Sequence, residues 1–203
     1  MKPSINNLYT SDQLEFEGPF LINQNIFNDD RGYFLESWSE NKFNNLLDSP
    51  VHFVQDNISY SVHGVLRGLH YQLEPFAQGK LIRCISGSIF DVGVDLRLKS
   101  ITFGKWFGIE LNSSSMKQVW IPPGFAHGFL TLSKSAKIHY KVTKYWEKNS
   151  ERTLLWSDSE LNINWPLNNC KISPLLSPKD SLGNCFKDML KAGNFFHEDS
   201  INW

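Results

Sequence analysis

The segment of residues 80–97, KLIRCISGSIFDVGVDLR, contains the pattern that decides the fold. Two runs rich in Ile, Leu, Val and Phe flank a Ser-Gly-Ser step, and such runs, bounded by turn residues, are typical of β-strands. Because side chains alternate along a strand, Lys80, Ile82 and Cys84 share one face of the first run, while Arg83 lies on the other. The segment therefore predicts two consecutive strands, with a lysine on the same face as apolar side chains.

Runs of the same kind continue through most of the chain, separated by clusters of Gly, Pro, Asn and Ser. The predicted strands are residues 32–37, 51–59, 64–72, 80–86, 88–96, 104–111, 117–121, 128–131 and 136–146. Helical spacing of apolar residues predicts short helices at 40–47 and 186–191, with Gly193 as the C-cap of the second. Many short strands and few helices predict an all-β fold, and a jelly-roll β-barrel is the architecture we expect.

The bulk composition bounds the class of protein. With 203 residues, of which 41% are hydrophobic and 20% charged, the chain is expected to form one globular domain over residues 1–203. Its net charge of −1 provides no global field that attracts nucleic acid or an anionic membrane. The N-terminus lacks the apolar core of a signal peptide, no run approaches membrane-spanning length, and the three cysteines are widely spaced. We therefore expect a cytoplasmic protein with free thiols.

Two histidines lie in segments that need no histidine for packing: His70 in GVLRGLHYQ and His127 in PPGFAHGF. Strict alternation puts Arg67 and His70 on opposite faces of one strand, unless a bulge at Gly68 re-aims one of them. A metal site is one interpretation, but the strand carries no His-x-His pair, and two imidazoles without a carboxylate bind Zn or Fe poorly. Structural histidines, and a proton-transfer base beside Arg67 and Lys80, are the other interpretations. The residues alone do not separate these two.

A series of ordered blocks resembles a known family. The blocks, which run from about residue 27 to residue 180, are DDRGYFLES, FVQDNISYS, VLRGLHYQ, QGKLIRC, IFDVGVDLR, SITFGKW, VWIPPGFAHGF, YKVTKYW, WSDSELNINWP and LSPKD. On these blocks the chain resembles the dTDP-4-dehydrorhamnose 3,5-epimerases, a metal-independent branch of the cupin jelly rolls. The resemblance implies a cupin-type barrel, a nucleotide-sugar substrate, catalysis without a metal or redox cofactor, and a homodimer. It leaves open whether the tail of residues 181–203, which is longer than usual, packs on the barrel or on a partner subunit.

The resemblance also implies roles for individual residues. His70 corresponds to the base that removes a proton from the sugar carbon, and Asp180 to the carboxylate that orients this histidine. Tyr140 corresponds to the acid on the opposite face of the ring, while Lys80 and Arg67 match positions near the developing enolate and the substrate oxygens. Further positions that match substrate-binding residues of the family are Arg31, Glu36, Gln55, Asn57, His127, Glu151 and Lys179.

The chain departs from the family pattern at two of these places. Trp146 occupies the position where the family usually has an aromatic residue, often a tyrosine, stacked on the thymine; tryptophan keeps the π-face but differs in size, which affects the nucleotide preference that the resemblance implies. Three extra residues precede LSPKD, the block that contains Asp180, which makes the placement of this carboxylate less certain. Alternation over 136–146 predicts that Tyr140 and Trp146 share a face and look into one cavity.

Structural alternatives exist for several of these residues. In the structural alternative, Tyr140 is a packed aromatic of the sheet and Trp146 is a core ring. Arg31 and Glu36 would then form a surface ion pair of little energetic consequence. The two aspartates of DVGVD, Asp91 and Asp95, are interpreted as structural, and Cys84 as a filler of core space.

The residues and the resemblance together predict an enzyme that epimerises dTDP-4-dehydro-6-deoxy-D-glucose at C3 and C5, giving dTDP-4-dehydro-L-rhamnose. A related epimerase that acts on a single carbon, or on another nucleotide-linked 4-keto sugar, remains an alternative. A sugar-binding jelly-roll protein without catalysis is the alternative from another class. An opposed acid and base favour the enzyme, because binding alone needs neither.

Overall fold

The computed structural model describes residues 3–170 and 172–197, which form thirteen strands and four short helices. The strands are β1 (Ser4–Tyr9), β2 (Glu15–Asn23), β3 (Ile26–Asp29), β4 (Gly32–Leu35), β5 (Gln55–Val62), β6 (Leu66–Gln72), β7 (Lys80–Ser86), β8 (Ser88–Asp95), β9 (Trp106–Asn112), β10 (Gln118–Ile121), β11 (Phe125–Thr131), β12 (Ser135–Val142) and β13 (Glu151–Thr153). The helices are α1 (Glu40–Asn44), α2 (Leu167–Cys170), α3 (Pro178–Ser181) and α4 (Phe186–Lys191). The predicted all-β class with a few short helices is confirmed.

The strands form two large sheets and a separate hairpin. One sheet has six strands in the order β1-β2-β10-β7-β12-β5, the other has five in the order β13-β6-β11-β8-β9, and β3 pairs with β4. Strands β5 to β12 pair antiparallel as β5 with β12, β6 with β11, β7 with β10, and β8 with β9. The segment is therefore a long hairpin whose nested pairs are divided between two sheets, which is the jelly-roll arrangement.

The alternation predicted for β7 decides what each side of the six-stranded sheet buries. Ile82 and Cys84 are fully or almost fully buried and pack with Phe107, Val119 and Ile138 in a core cluster. On the opposite side, Leu81 packs with Trp120 and with Phe43 of α1 in another cluster. The helix thus covers the outer side of the sheet, and the interpretation of Cys84 as a core residue is confirmed.

Several element boundaries differ from the prediction. β1 and β2 are absent from it, because β1 is rich in Asn and β2 contains Gly18-Pro19, and both features mask a strand pattern. β5 begins at Gln55 rather than at residue 51, and β11 begins at Phe125 rather than at residue 128. β12 ends at Val142, four residues earlier than predicted. Its two partner strands begin opposite that residue, at Gln55 and Lys80.

The C-terminal segment packs on the barrel of its own chain. The helix predicted at 186–191 is confirmed, and Gly193 follows it with a φ of +67°, as expected for a glycine that ends a helix. Phe195 and Phe196 are 5% and 2% exposed, and Phe196 exchanges backbone hydrogen bonds with the chain at Leu96 and Leu98. The rest of the tail, residues 198–203 with Trp203, lies outside the described residues.

Candidate active site

A bulge in β6 sets the direction of His70. His70 lies opposite His127 of β11, and Arg67 lies opposite Phe129, so β6 has one residue more than β11 between these two pairs. The extra residue falls at Gly68, and the predicted bulge is confirmed. Gly68 has a φ of +115°, and a Cβ atom there would lie 2.6 Å from the Cα atom of Gly128 on the neighbouring strand β11, so only glycine fits.

A buried carboxylate contacts the His70 imidazole. The Nε2 atom of His70 lies 2.5 Å from Oδ1 of Asp180, which is 3% exposed and lies on α3. Asp180 also accepts hydrogen bonds from the Gly68 amide at 3.3 Å and from Ser177 Oγ at 2.7 Å. The sequence left the placement of Asp180 uncertain. The structure puts it against the predicted base.

The two pKa values of this pair favour a neutral imidazole beside a carboxylate. Burial lowers the pKa of His70 below its usual value, although the Asp180 carboxylate acts in the opposite direction. For Asp180, burial raises the pKa, but hydrogen bonds from His70 and Ser177 together bring it below its usual value. With Nε2 engaged by the carboxylate, Nδ1 of His70 is the ring nitrogen left to accept a proton.

Lys80 stands at the start of β7, beside the backbone of His70. Its Nζ atom donates a hydrogen bond to the His70 carbonyl oxygen at 3.3 Å. Burial lowers the pKa of Lys80 to about 8, although the charges of Asp91 and Glu151 raise it; the Lys179 charge adds to the lowering. The ammonium is therefore cationic at neutral pH but loses its charge within a short pH interval above it.

Tyr140 lies on β12, opposite Asn57 of β5, and its side chain is partly buried against the core cluster that contains Ile82. Burial raises the pKa of the Tyr140 phenol, the Arg67 guanidinium lowers it, and the Glu151 carboxylate raises it. The net shift is upward, so the phenol is protonated at neutral pH and is able to donate a proton.

Glu151, on β13 of the five-stranded sheet, acts electrostatically on two residues of the six-stranded sheet. It forms an ion pair with Lys179 at 2.6 Å, and its charge acts on the pKa of both Tyr140 and Lys80. Gln55 and Asn57, also predicted to bind substrate, lie on β5 and share a hydrogen bond of 2.8 Å. We call the group formed by His70, Asp180, Lys80, Tyr140, Arg67, Glu151 and Lys179 the polar interior cluster, of which Arg67 and Lys179 are the exposed members.

His127 has a carboxylate partner that the sequence analysis did not include in the site. Its Nε2 atom lies 2.9 Å from Oδ2 of Asp91, which has no exposed surface. Asp91 was interpreted as structural, because a lone acidic residue in a buried strand carries no motif. The available signal was its position, a carboxylate within the apolar run IFDVGVD.

Outside the polar interior cluster, three predicted substrate-binding residues lie on the surface of the chain. Arg31 is at the turn of the β3–β4 hairpin, with a side chain that is 89% exposed and paired with Asp29 at 2.6 Å. Glu36 pairs with Lys42 at 2.8 Å, so the alternative of an ion pair between Arg31 and Glu36 is wrong. Each side chain is instead paired with another residue of opposite charge, Arg31 with Asp29 and Glu36 with Lys42.

Trp146, the third of these residues, is 56% exposed and lies beyond the end of β12. The strand alternation that was expected to put Tyr140 and Trp146 on one face stops at Val142. The buried-core alternative for Trp146 is wrong, because a core ring is not half exposed.

The metal-site interpretation has no geometric support in the described part of the chain. Within it, no group of three or more His, Cys, Asp or Glu side chains is arranged to hold a metal ion. His70 and His127 instead each contact one aspartate. None of the helices in the described ranges is long and apolar enough to cross a membrane.

Comparison with known proteins identifies the family. The family model described as dTDP-4-dehydrorhamnose 3,5-epimerase matches residues 13–188. The chain belongs to this family. A dTDP-4-dehydrorhamnose 3,5-epimerase from Shigella flexneri is 50% identical over 174 residues, which are 86% of this chain and 94% of the relative. The family resemblance predicted from the sequence blocks is therefore confirmed.

Solved structures of this epimerase family have the same fold. A dTDP-6-deoxy-D-glucose-3,5-epimerase from Legionella pneumophila, in complex with dTDP-4-keto-L-rhamnose, is 40% identical with a TM-score of 0.85, and the match covers 96% of this chain and 98% of that one. A 3′-monoepimerase from Streptomyces bikiniensis, in complex with dTDP-quinovose, is 28% identical with a TM-score of 0.85 and coverage of 92% and 93%. One backbone architecture thus serves both double and single epimerases.

Proposed function

We propose that the protein epimerises dTDP-4-dehydro-6-deoxy-D-glucose at C3 and C5 and so produces dTDP-4-dehydro-L-rhamnose for dTDP-L-rhamnose biosynthesis. The observation that carries the proposal is the contact of the His70 imidazole with the buried Asp180 carboxylate, beside a Lys80 ammonium that is hydrogen-bonded to the His70 carbonyl oxygen. The 50% identity to a 3,5-epimerase over almost the whole relative supports the choice of reaction.

The first step is removal of a proton from a carbon next to the C4 ketone. That proton is acidic because its loss produces an enolate, in which negative charge gathers on the ketone oxygen. In the proposed mechanism Nδ1 of His70 accepts the proton, and the Lys80 ammonium stabilises the developing oxyanion. By analogy with removal of one oxyanion donor from other enzymes, such a contact contributes about 3–4 kcal/mol.

Asp180 supports the base in this mechanism. Its carboxylate holds the proton of His70 on Nε2, which leaves Nδ1 free to react, and it stabilises the imidazolium that forms. Low exposure of Asp180 keeps water from competing for the hydrogen bond.

Inversion requires that a proton returns to the opposite face of the sugar. Tyr140 is the proposed donor, and its upward-shifted pKa keeps the phenol protonated at neutral pH. Proton removal and return need no electron transfer, so no redox cofactor enters the proposed reaction. Acid and base catalysis of this kind typically contributes about 10²–10⁴-fold per group.

The charged and polar residues around this pair are proposed to bind the rest of the nucleotide sugar. A guanidinium pairs bidentately with phosphate oxygens, and an indole ring stacks on a nucleotide base. These roles suit Arg67 and Trp146, because both residues are exposed. The residues proposed to bind substrate are Arg31, Glu36, Gln55, Asn57, Arg67, His127, Trp146, Glu151 and Lys179.

An epimerase for a single carbon remains the nearest alternative, because the 3′-monoepimerase of Streptomyces bikiniensis has the same fold. That protein is 28% identical to this chain, whereas the Shigella flexneri 3,5-epimerase is 50% identical. A sugar-binding protein without catalysis is the alternative from another class. It is disfavoured because an imidazole oriented by a buried carboxylate is an arrangement for proton transfer, which binding does not require.

Deuterium labelling distinguishes the three functions. When the protein is incubated with the 4-keto substrate in D₂O, we expect NMR to detect deuterium at both C3 and C5. The reason is that each carbon exchanges its proton through an enolate. Label at one carbon alone would instead identify a single-carbon epimerase, and absence of label from a substrate that still binds would identify a binding protein.

We propose further that the protein is a homodimer, which its exposed apolar residues support. Ile58 and Tyr60 of the edge strand β5 are 68% and 57% exposed, and Phe34 of the β3–β4 hairpin is 70% exposed. An unpaired strand edge with large apolar side chains is a common site of association. Light scattering is expected to give twice the 23.4 kDa chain mass, and Ile58→Lys is expected to shift the protein toward the single-chain mass. A single-chain mass for the unmodified protein would contradict the dimer.

Residues 1–203 are proposed to form one domain, because Phe195 and Phe196 from the C-terminal segment complete the core of the barrel. The cytoplasmic location expected from the sequence stays a prediction.

A further inference from the structure

Asp91 is a buried carboxylate that the proposed mechanism does not use. It lies on β8 between β11 and β9, and it has no exposed surface. Its Oδ2 atom contacts His127, while its Oδ1 atom is buried and has no hydrogen-bond partner among the described residues. Burying a carboxylate without partners for both of its oxygens is unfavourable, so a feature of this kind calls for an explanation.

Asp95, on the same strand, shows what a purely structural carboxylate looks like in this fold. Its two oxygens accept hydrogen bonds from the guanidinium of Arg97 and from the hydroxyls of Ser100 and Thr102, at 2.6 to 2.9 Å. Both aspartates are completely buried, yet only Asp95 is surrounded by donors. The structural interpretation fits Asp95 and does not account for Asp91.

One hydrogen-bonding contact and one charge interaction connect Asp91 to the polar interior cluster. The first is direct: Asp91 binds His127, which lies opposite His70 on the neighbouring strand. The second is electrostatic. The charges that act on the Lys80 ammonium are those of Asp91 on β8, Glu151 on β13 and Lys179 on α3, with His70 on β6 adjacent. Of the two carboxylates that raise the pKa of Lys80, Asp91 has the larger effect, and Glu151 also forms an ion pair with Lys179.

We propose that Asp91 is a positioning residue of the active site, which holds His127 as the tautomer protonated on Nε2 and keeps the Lys80 ammonium cationic. The inference rests on the proposed function, since Lys80 matters here as the group that stabilises the enolate. With Nε2 donating to Asp91, Nδ1 of His127 presents an acceptor to a hydroxyl of the substrate. Asp91 acts through these two side chains and does not itself touch the substrate.

The charge of Asp91 is tested with Asp91→Asn, which retains the size of the side chain. The rate of the unmodified enzyme is expected to fall as the pH rises through about 8, where Lys80 loses its proton. We call this decrease of the rate at high pH the alkaline limb of the pH–rate profile. A negative charge raises the pKa of a nearby ammonium, so removal of the Asp91 charge is expected to move the alkaline limb toward lower pH. We expect kcat at pH 7.5 to fall about 10–100-fold, as for other residues that orient a functional group.

Thr131→Val is the matched control, because Thr131 is buried in the same sheet and its hydroxyl has no hydrogen-bond partner in the part of the chain that the structure describes. Its kcat and alkaline limb are expected to equal those of the unmodified enzyme. A merely structural Asp91 would change the melting temperature of Asp91→Asn and leave the alkaline limb in place. An unmoved limb therefore overturns the proposal, whatever the melting temperature.

A measurement on the unmodified protein covers the case in which Asp91→Asn does not fold. With ¹⁵N-labelled histidine, NMR at a pH where His127 is neutral is expected to show a protonated Nε2 and an unprotonated Nδ1. The opposite tautomer overturns the proposal. This measurement needs no substrate, so its result is independent of the deuterium experiment, and failure of the proposed function is recognised separately from failure of the role of Asp91.

Discussion

Replacement of His70 by alanine is expected to abolish deuterium uptake at both sugar carbons while substrate binding remains measurable. His70 is the one group in the proposed mechanism that removes the carbon-bound proton, and its lowered pKa keeps it neutral and able to do so. Loss of a general base costs about 10²–10⁴-fold, which would put the label below detection in an ordinary incubation. The measurement is NMR of the recovered sugar, with binding followed by calorimetry on the same preparation.

Two further variants locate the effect in the imidazole–carboxylate pair. Asp180→Asn is expected to lower the rate strongly, because an amide no longer stabilises the imidazolium and permits the wrong tautomer. His52→Ala is the control, since His52 is exposed and its imidazole pairs with Glu40 on the surface. Deuterium uptake by His70→Ala at the rate of the unmodified enzyme would remove His70 as the base.

The barrel was predictable because the alternation of apolar and polar residues along each strand determines which side chains the strand buries. In residues 80–97 the faces of β7 follow from the order of apolar and polar residues alone, and the bounds of β7 are those predicted. β1 was missed because it is the edge strand of the six-stranded sheet, where Asn residues are tolerated. β2 lies between β1 and β10, and its Gly18-Pro19 pair falls at an irregularity in the pairing with β1, which obscures the alternation.

The candidate site was predictable only in part, because its contacts join residues distant in the chain. The bond between His70 and Asp180 spans 110 positions and depends on the docking of α3 against β6. Family resemblance named both residues, but the local sequence of Asp180 indicates only a turn. Asp91 was missed for a related reason: its partner His127 lies on the neighbouring strand β11, and no local pattern connects them.

Replacement of Tyr140 by phenylalanine is expected to separate deuterium uptake from epimerisation. His70 remains in this variant, so it still removes the proton; once the imidazole has exchanged with D₂O, it returns deuterium to the face from which the proton came. The sugar then gains label with its original configuration. Inversion needs a donor on the other face, and loss of the phenol is expected to lower product formation by about 10²–10⁴-fold. NMR of the same sample distinguishes labelled substrate from product.

Retention of deuterium uptake together with loss of product formation is what makes Tyr140→Phe a specific test of the proposed acid. A tyrosine that only packs in the barrel would lose both activities together, or neither, because phenylalanine retains the ring that contacts the core cluster around Ile82. Tyr9→Phe removes the hydroxyl of an exposed tyrosine at the end of the edge strand β1, where it is hydrogen-bonded to Glu15 of β2, and it is expected to change neither activity. If Tyr140→Phe forms product at the rate of the unmodified enzyme, the returning proton comes from another donor. Labelled, uninverted substrate from Tyr140→Phe would place acid and base on opposite faces of the sugar, which is the arrangement that double inversion requires.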